Sequence, residues 1–253
     1  MTQAMIGIIG GTGLTTLSGL AIQDTRWIDT QYGEPSAAIS IGDYHGFNLA
    51  FLARHGDPHQ IPPHLINYRA NIMALKQVGV SHIIAVNAVG GIHPSLGPAE
   101  IAIPDQIIDY THGRIHTYYD DSSKNLEHVD FSFPYSRTIR KCLLDAAESE
   151  SLSVLNTAVY GATQGPRLET AAEIRKYRQD GCDMVGMTGM PEAALARELS
   201  MEYACLALSV NWAAGITPEI ITMAEIEAAI DTGMSKVRTI LENALQRLAA
   251  DLR

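Results

Sequence analysis

Four short segments of the chain place small, hydroxyl, amide or cationic side chains directly after apolar runs. The first is Gly10-Gly11-Thr12-Gly13, which follows the apolar residues 5–9. Glycines at such a turn let backbone N–H groups approach an oxyanion, because no Cβ blocks the way. The pattern predicts an anion site, and the anion is either the pyrophosphate of a cofactor or a free phosphate ion.

Neither of the common nucleotide-binding loops matches this glycine segment. A dinucleotide fingerprint that starts at Gly11 requires a small residue at the position of Thr16, so the fit is poor. A P-loop requires a Gly-Lys-Ser/Thr ending, and Lys76 is the first lysine of the chain. A dinucleotide site therefore stays only a minor alternative.

The other three segments also carry groups that suit an anion. Arg54-His55-Gly56 follows the apolar residues 47–53, and the planar fork of a guanidinium matches an oxyanion. Asn87-Ala88-Val89-Gly90-Gly91 follows residues 82–86 and offers backbone donors. Thr188 stands before a predicted helix start, and helix N-termini attract anions. Each segment alone could be a salt bridge or a tight turn, but together they predict a site for a small dianion.

A metal centre is the weaker alternative. His55, His59 and His64 are close in sequence, but the prolines between them break any helix that would align three ligands. The three cysteines lack CxxC spacing, so neither a zinc site nor a disulfide framework is supported. We therefore expect no metal, and we expect a protein of the reducing cytoplasm.

The elements that must position these groups alternate between strand and helix patterns. This order predicts an α/β fold, one domain over residues 1–253, with a mixed sheet of about eight strands flanked by helices. The strand-like runs are residues 5–9, 37–41, 47–53, 82–88, 101–108, 154–162, 184–185 and 203–210. Helices are predicted to open at Pro62-Pro63 and at the capping boxes that begin with Thr170 and Thr222. Residues 110–133 are predicted to form a surface loop or a subunit contact.

Composition excludes several classes of partner. The net charge of −10 and the lack of a Lys/Arg cluster argue against nucleic acid and anionic membranes. No stretch approaches the 18 apolar residues or so that a membrane-spanning helix needs. We expect small-molecule substrates.

Five ordered motifs resemble the trimeric nucleoside phosphorylase family, and within it the methylthioadenosine phosphorylase branch. The motifs are residues 8–13, 53–56, 67–71, 165–167 and 187–192, and the resemblance extends from Met5 to the last helix. It implies a mixed, partly barrel-like sheet, a homotrimer or dimer of trimers, and phosphorolysis of a purine N-glycosidic bond. It also implies that no cofactor is needed, because inorganic phosphate is a co-substrate.

The resemblance assigns roles by position. The phosphate-binding set would be Thr12, Arg54, His55, Asn87, Ala88 and Thr188. Met187 would lie against the ribose, and Leu168 stands where the branch usually has an aromatic residue that stacks on the base. His128 matches a histidine that the family lends to the active site of the neighbouring subunit.

Departures from the branch indicate which base is recognised. Asn211 and Ala213 replace the two carboxylates of an Asp-x-Asp pattern, and Glu169 replaces a serine. A 6-oxopurine presents an O6 acceptor and an N1–H donor, so an amide can donate to O6 while a carboxylate accepts from N1–H. The amide can also accept from N7–H of the departing purine. We therefore predict a 6-oxopurine nucleoside, with Asn211, Arg54 and His55 as the catalytic residues.

The 5′ end of the sugar is predicted to carry a methylthio group. Inosine and guanosine phosphorylases of the family use a histidine near the start of the last helix, where this chain has Met223 and Ile226. An apolar wall favours CH₃–S over a hydroxyl, although both residues could simply be core. The expected substrate is S-methyl-5′-thioinosine. The alternatives are a methylthioadenosine phosphorylase, a general 6-oxopurine nucleoside phosphorylase and a non-catalytic nucleoside-binding protein.

Overall fold

The computed structural model describes residues 5–11, 20–120 and 126–252. In these ranges the strands are β1 (Met5–Gly10), β2 (Leu20–Arg26), β3 (Ile39–Tyr44), β4 (Phe47–Ala53), β5 (Val80–Gly91), β6 (Ile101–Ala102), β7 (Gln106–Asp109), β8 (Val154–Leu155), β9 (Val159–Ala162), β10 (Met184–Gly186) and β11 (Glu202–Trp212). The helices are α1 (Tyr68–Gln77), α2 (Arg137–Ser149), α3 (Ala171–Gln179), α4 (Gly189–Glu198) and α5 (Met223–Asp251). The predicted α/β class is confirmed.

The strands form one mixed sheet whose centre is parallel. Strand β1 lies between β4 and β5 and is parallel to both, and β11 runs parallel to β5 along the opposite edge of that strand. The central strands are buried on both faces, as their unbroken apolar runs predicted. Because parallel strands end at the same edge of a sheet, the segments after β1 and β4 and the distal half of β5 are brought together.

Strand β5 changes its neighbour along one edge. Its residues 80–85 pair with β1, whereas Gly90 and Gly91 pair antiparallel with β10. Residues 86–89 pair with no strand of the described chain on this edge, although β11 continues along the other edge. We call this interval the β5 gap (residues 86–89). It leaves backbone atoms of a central strand open to other partners.

Several predicted strand boundaries were wrong. The predicted run 101–108 is divided into β6 and β7 around Pro104, which cannot donate to a strand ladder. The run 154–162 is divided into β8 and β9, because residues 156–158 leave the ladder. Strand β2 was not predicted. It is a largely exposed edge strand whose Asp24 and Arg26 resemble loop residues in sequence.

The helix starts follow their capping residues. Pro63 opens only a 3-10 turn, and α1 begins at Tyr68, where the Asn67 side chain accepts a hydrogen bond from the Ala70 backbone N–H at 3.1 Å. The capping boxes predicted at Thr170 and Thr222 are both confirmed. Helix α5 packs on β11 and α2 and completes one side of the core. No helix in the described ranges is long and apolar enough to cross a membrane.

Candidate active site

The carboxyl ends of β1 and β4 meet beside the β5 gap. Gly10 and Ala53 are register partners, and the Arg54 backbone N–H donates to the Gly10 carbonyl at 3.0 Å. The Arg54 guanidinium then enters the gap and donates from Nη1 to the Val86 carbonyl at 3.0 Å. Thr12, predicted to bind phosphate, lies outside the described residues. The first residue of the glycine segment, Gly10, is thus adjacent to Arg54, as the sequence predicted.

Arg54 forms a buried ion pair with Glu192 of α4. Its Nε and Nη2 donate to the two carboxylate oxygens at 2.7 and 2.8 Å, and the Tyr203 hydroxyl donates to the same carboxylate at 2.8 Å. Burial opposes the charge on Arg54, but the Glu192 carboxylate outweighs it and raises the pKa of Arg54 above its ordinary value. The guanidinium therefore stays charged and rigidly oriented.

The donors of Arg54 are almost fully committed. A guanidinium has five N–H groups. Two bond Glu192, one bonds the Val86 carbonyl, and one reaches the Ile9 carbonyl at 3.5 Å, so one N–H on Nη1 is left for an oxyanion. Since Glu192 offsets the positive charge, an anion here is held mainly by directed hydrogen bonds and not by net charge.

His55 presents a hydrogen-bond acceptor to this site. Its Nδ1 bonds the Ile61 carbonyl at 2.8 Å, and because a carbonyl only accepts, Nδ1 carries the proton. The ring stacks on His59, with centroids 4.4 Å apart. Burial, with help from the nearby Arg54 charge, lowers the pKa of His55 to about 4. The neutral ring therefore offers the Nε2 lone pair, which suits the O–H of a monohydrogen phosphate.

This lowered pKa predicts a pH dependence of stability. The unfolded chain, in which the pKa of His55 returns to about 6.5, binds more protons than the folded chain between pH 6.5 and 4. Stability is thus present above pH 6.5 and is lost as the pH falls towards 4. We expect urea midpoints of a His55→Asn variant to decline less over this range than those of the wild type. A His55→Asn slope equal to that of the wild type would contradict the assignment.

Asn87 and Thr188 meet across the same gap. The Asn87 Nδ2 donates to the Thr188 Oγ1 at 2.7 Å, and the Asn87 Oδ1 accepts from the Cys205 thiol at 3.5 Å. Because Thr188 accepts from Asn87, its own hydroxyl proton points to a further acceptor. Ala88, the next residue of β5, is exposed although it lies in a central strand. Three residues predicted to surround the anion, Asn87 and Ala88 on β5 and Thr188 before α4, are therefore neighbours of the gap.

A bulge in β11 directs Asn211 towards Gly90. The pairing of β11 with β5 shifts register between Ser209 and Asn211, and a Cβ placed on Gly90 would lie 3.3 Å from the Asn211 Nδ2. Bulges of this kind redirect a side chain beside a functional site. The Asn211 Nδ2 donates to the Trp212 carbonyl at 2.7 Å, which leaves one N–H and the Oδ1 for a ligand. Ala213 is buried.

Glu169 and Met187 lie in the two segments that follow β9 and β10. The Thr163 hydroxyl donates to Glu169 at 2.6 Å, and both residues line a cleft of about 380 Å³. A Cβ on Gly165 would lie only 2.4 Å from the Met187 Sδ, so only glycine allows this close approach. No described hydrogen bond joins Glu169 directly to Asn211. A base bound between them would be the connecting partner.

Three of the predicted substrate contacts lie at the surface of the single chain, and a fourth is half-buried. Leu168 and Met223 are 44% and 67% exposed, and His128 is exposed as well. Ile226 is half-buried and packs against the main core. Within one chain the structure therefore brings Arg54, Asn87 and Thr188 together at the β5 gap, whereas Leu168, His128 and Met223 stand at its exterior.

Analysis of the sequence did not identify three residues that contribute to this geometry. Glu192 was seen only as a motif member, and Tyr203 was seen only as a strand residue. Arg114, in the loop after β7, donates to backbone carbonyls next to Thr188 and Glu169. No local signal marks these side chains, because their partners are distant in sequence. For Arg54 and Glu192 the separation is 138 positions.

The α/β sheet gathers Arg54, Asn87 and Thr188 at the ends of its parallel strands, an arrangement that suits an enzyme that binds a small anion. The family model described as the phosphorylase superfamily matches residues 5–246. The chain belongs to the phosphorylase superfamily, and the resemblance read from its motifs is confirmed.

Named relatives and solved structures cover nearly the whole chain. A probable S-methyl-5′-thioinosine phosphorylase of Pseudomonas syringae pv. tomato is 57% identical over 96% of this chain and 99% of its own. A 6-oxopurine nucleoside phosphorylase of Pyrococcus furiosus is 46% identical over 87% and 84%. A methylthioadenosine phosphorylase structure from an antarctic soil metagenomic library has a TM-score of 0.93 at 35% identity, covering 100% and 89%. The adenine complex of methylthioadenosine phosphorylase from Schistosoma mansoni has a TM-score of 0.92 at 29% identity, covering 98% and 93%. The fold prediction is thereby confirmed.

Proposed function

We propose that the protein catalyses the phosphorolysis of S-methyl-5′-thioinosine to hypoxanthine and 5-methylthioribose 1-phosphate. The observations that carry this proposal are the bulged Asn211 with the small Ala213 two residues further on, Glu169 held by Thr163, and the polar groups at the β5 gap. The names of the relatives, which include both methylthioinosine and 6-oxopurine phosphorylases, support it.

Phosphate is the attacking group in the proposed reaction. A phosphate oxygen forms a bond to C1′ while the C1′–N9 bond breaks, and the electron pair of that bond leaves with the purine. The transition state resembles an oxocarbenium ion, so a dianion held by Thr12, Arg54, His55 and Thr188 stabilises it by position and charge. No covalent enzyme intermediate, metal or cofactor takes part.

The leaving purine is stabilised at N7. A neutral amide is a poor acid, so we propose that solvent supplies the proton and that the Asn211 Oδ1 accepts a hydrogen bond from N7–H. The fixed bond from Nδ2 to the Trp212 carbonyl supports this orientation of the amide. The second N–H of Asn211 then donates to O6, and Glu169 accepts from N1–H. Adenine would face Glu169 with a lone pair at N1, which is a mismatch that disfavours 6-aminopurines.

Recognition of the 5′ end is tested by the Met223→His variant. A histidine there supplies a donor for a 5′-hydroxyl and removes an apolar contact to CH₃–S. We expect the ratio of kcat/KM for methylthioinosine over inosine to fall by about tenfold or more. Steady-state rates with both nucleosides give the ratio. An Ala228→His variant, at an exposed position on the same helix, is the control, and an unchanged ratio in Met223→His would remove Met223 from the pocket.

The proposed assembly is a homotrimer or a dimer of trimers in the cytoplasm. Exposed apolar side chains in the predicted contact loop, Ile115, Leu126 and Phe133, support an oligomeric surface there. A second copy against this surface would explain the exterior positions of His128 and Met223, since His128 would then serve the neighbouring site.

The experiment that tests the proposed function is a panel of three nucleosides, each with and without phosphate. Methylthioinosine should be the best substrate and should yield hypoxanthine only when phosphate is present. A preference for inosine would favour a general 6-oxopurine nucleoside phosphorylase, and a preference for methylthioadenosine would overturn the base assignment. Base binding without any turnover would favour a non-catalytic nucleoside-binding protein.

A further inference from the structure

Arg114 is a buried arginine whose hydrogen bonds connect two separate parts of the site. It lies in the loop after β7 and is only 8% exposed. Its partners are four backbone carbonyls and one hydroxyl: Met187 O at 2.7 Å, Met190 O at 2.6 Å, Thr163 O at 3.3 Å, Gln164 O at 2.8 Å and Tyr68 Oη at 3.1 Å.

Arg114 differs from Arg54 in the nature of its partners. Arg54 is neutralised by Glu192, whereas every hydrogen bond of Arg114 within the described residues goes to a neutral oxygen. Its Nε is buried without a hydrogen-bond partner in the same part of the chain. A buried charge is costly unless it is well satisfied, so the carbonyl oxygens must converge on this guanidinium for it to remain there.

The two segments that Arg114 joins carry different halves of the substrate site. Thr163 follows β9, and its hydroxyl holds the carboxylate of Glu169 on the base side. Met187 follows β10 and directly precedes Thr188, whose hydroxyl faces the phosphate side. The segments also touch through Gly165 and Met187, where there is no room for a Cβ. One planar cation therefore spans the boundary between base recognition and phosphate binding.

We propose that Arg114 is a positioning residue that fixes the distance between the base-binding and phosphate-binding halves and so makes the two ligands bind cooperatively. The inference rests on the proposed function. Nucleophilic attack on C1′ requires both halves at once, and a misplacement of about 1 Å lowers a rate by about a hundredfold. Arg114 touches no substrate, so its loss should act through this spacing.

The first test uses binding and kinetics in Arg114→Lys and Arg114→Met. Lysine keeps the charge, but a single ammonium cannot reach carbonyls on both segments in the way that a forked guanidinium does. In the wild type we expect saturating phosphate to tighten hypoxanthine binding by about tenfold, measured by calorimetry. In both variants the tightening should disappear and kcat should fall by about a hundredfold, while the KM for nucleoside changes much less.

A matched control separates positioning from general stability. Arg140 also bonds three backbone carbonyls, those of Ile103, Pro104 and Asn156, but it lies away from the site. Arg140→Met should lower the thermal midpoint and leave the coupling between phosphate and hypoxanthine intact. If Arg114→Met does not fold, Arg114→Ala supplied with millimolar guanidinium ion should regain part of kcat, and Arg114→Lys remains informative.

Two results would overturn the inference. One is wild-type coupling in Arg114→Lys together with a normal kcat, because the positive charge alone would then be sufficient. The other is the absence of coupling in the wild type itself. Failure of the proposed function can be distinguished from failure of this inference. In that case the wild-type enzyme itself shows no phosphate-dependent turnover of any 6-oxopurine nucleoside.

Discussion

The Asn211→Ala variant should lose about a hundred- to a thousandfold in kcat/KM for the 6-oxopurine nucleoside. Asn211 is the only described side chain that the β11 bulge directs at Gly90, and its amide is fixed by the Trp212 carbonyl. Its hydrogen bond to N7–H strengthens as charge develops on the leaving purine, so the loss should appear mainly in kcat. Steady-state kinetics with methylthioinosine and saturating phosphate measure it.

A second asparagine provides the control for this substitution. Asn243 on α5 bonds Glu150 at 3.0 Å on the far side of the core, so Asn243→Ala should have near wild-type kinetics. Near wild-type turnover by Asn211→Ala would contradict the assigned role. Asn211→Asp is informative as well, because a carboxylate cannot donate to O6 and should lower the preference for 6-oxopurines.

Removing the carboxylate of Glu192 should produce the largest loss of stability. Glu192→Gln leaves the buried Arg54 charge without its counter-ion, and breaking a buried pair in this way costs about 3–5 kcal/mol of unfolding free energy. Phosphate should then stabilise the variant more than the wild type, because the dianion becomes the nearest counter-ion of Arg54. Urea unfolding with and without phosphate measures both effects.

The control for Glu192 is the same substitution in an exposed pair. Glu100 bonds Lys236 at 3.2 Å, with side chains 42% and 31% exposed, so Glu100→Gln should cost less than about 1 kcal/mol. Two results would argue that the buried pair is not part of the anion site. One is an equal loss of unfolding free energy at the two positions, and the other is that phosphate stabilises Glu192→Gln no more than the wild type.

Local patterns in the sequence predicted the centre of the fold and the meeting of Arg54 and Asn87 at one edge of the sheet. The apolar runs of β1, β4 and β5 are long and uninterrupted, and parallel strands must end together, so Arg54 and Asn87 were expected to converge. The strand predictions failed where contacts between distant segments determine the local structure. Strand β2 is exposed at the sheet edge, and Pro104 interrupts a run that reads as one strand.

Sequence patterns could not predict the charges and protonation states of the site residues. The sequence assigned Arg54 and His55 to the binding of an anion, but it gave no sign that Glu192 offsets the charge of the first or that burial keeps the second neutral. No sequence motif marks Arg114, because most of its partners are backbone carbonyls, which every residue carries. Roles for His128 and Met223 depended on the family resemblance, and one chain alone leaves both side chains at its surface.

The central claim, recognition of a 6-oxopurine base, is tested most directly by internal competition. Equal concentrations of methylthioinosine and methylthioadenosine are mixed with phosphate and enzyme, and the release of hypoxanthine and adenine is followed by chromatography. The product ratio gives the ratio of the two kcat/KM values. We predict that hypoxanthine exceeds adenine by about 10⁴-fold or more at early times. Release of adenine at a comparable or higher rate would contradict the account.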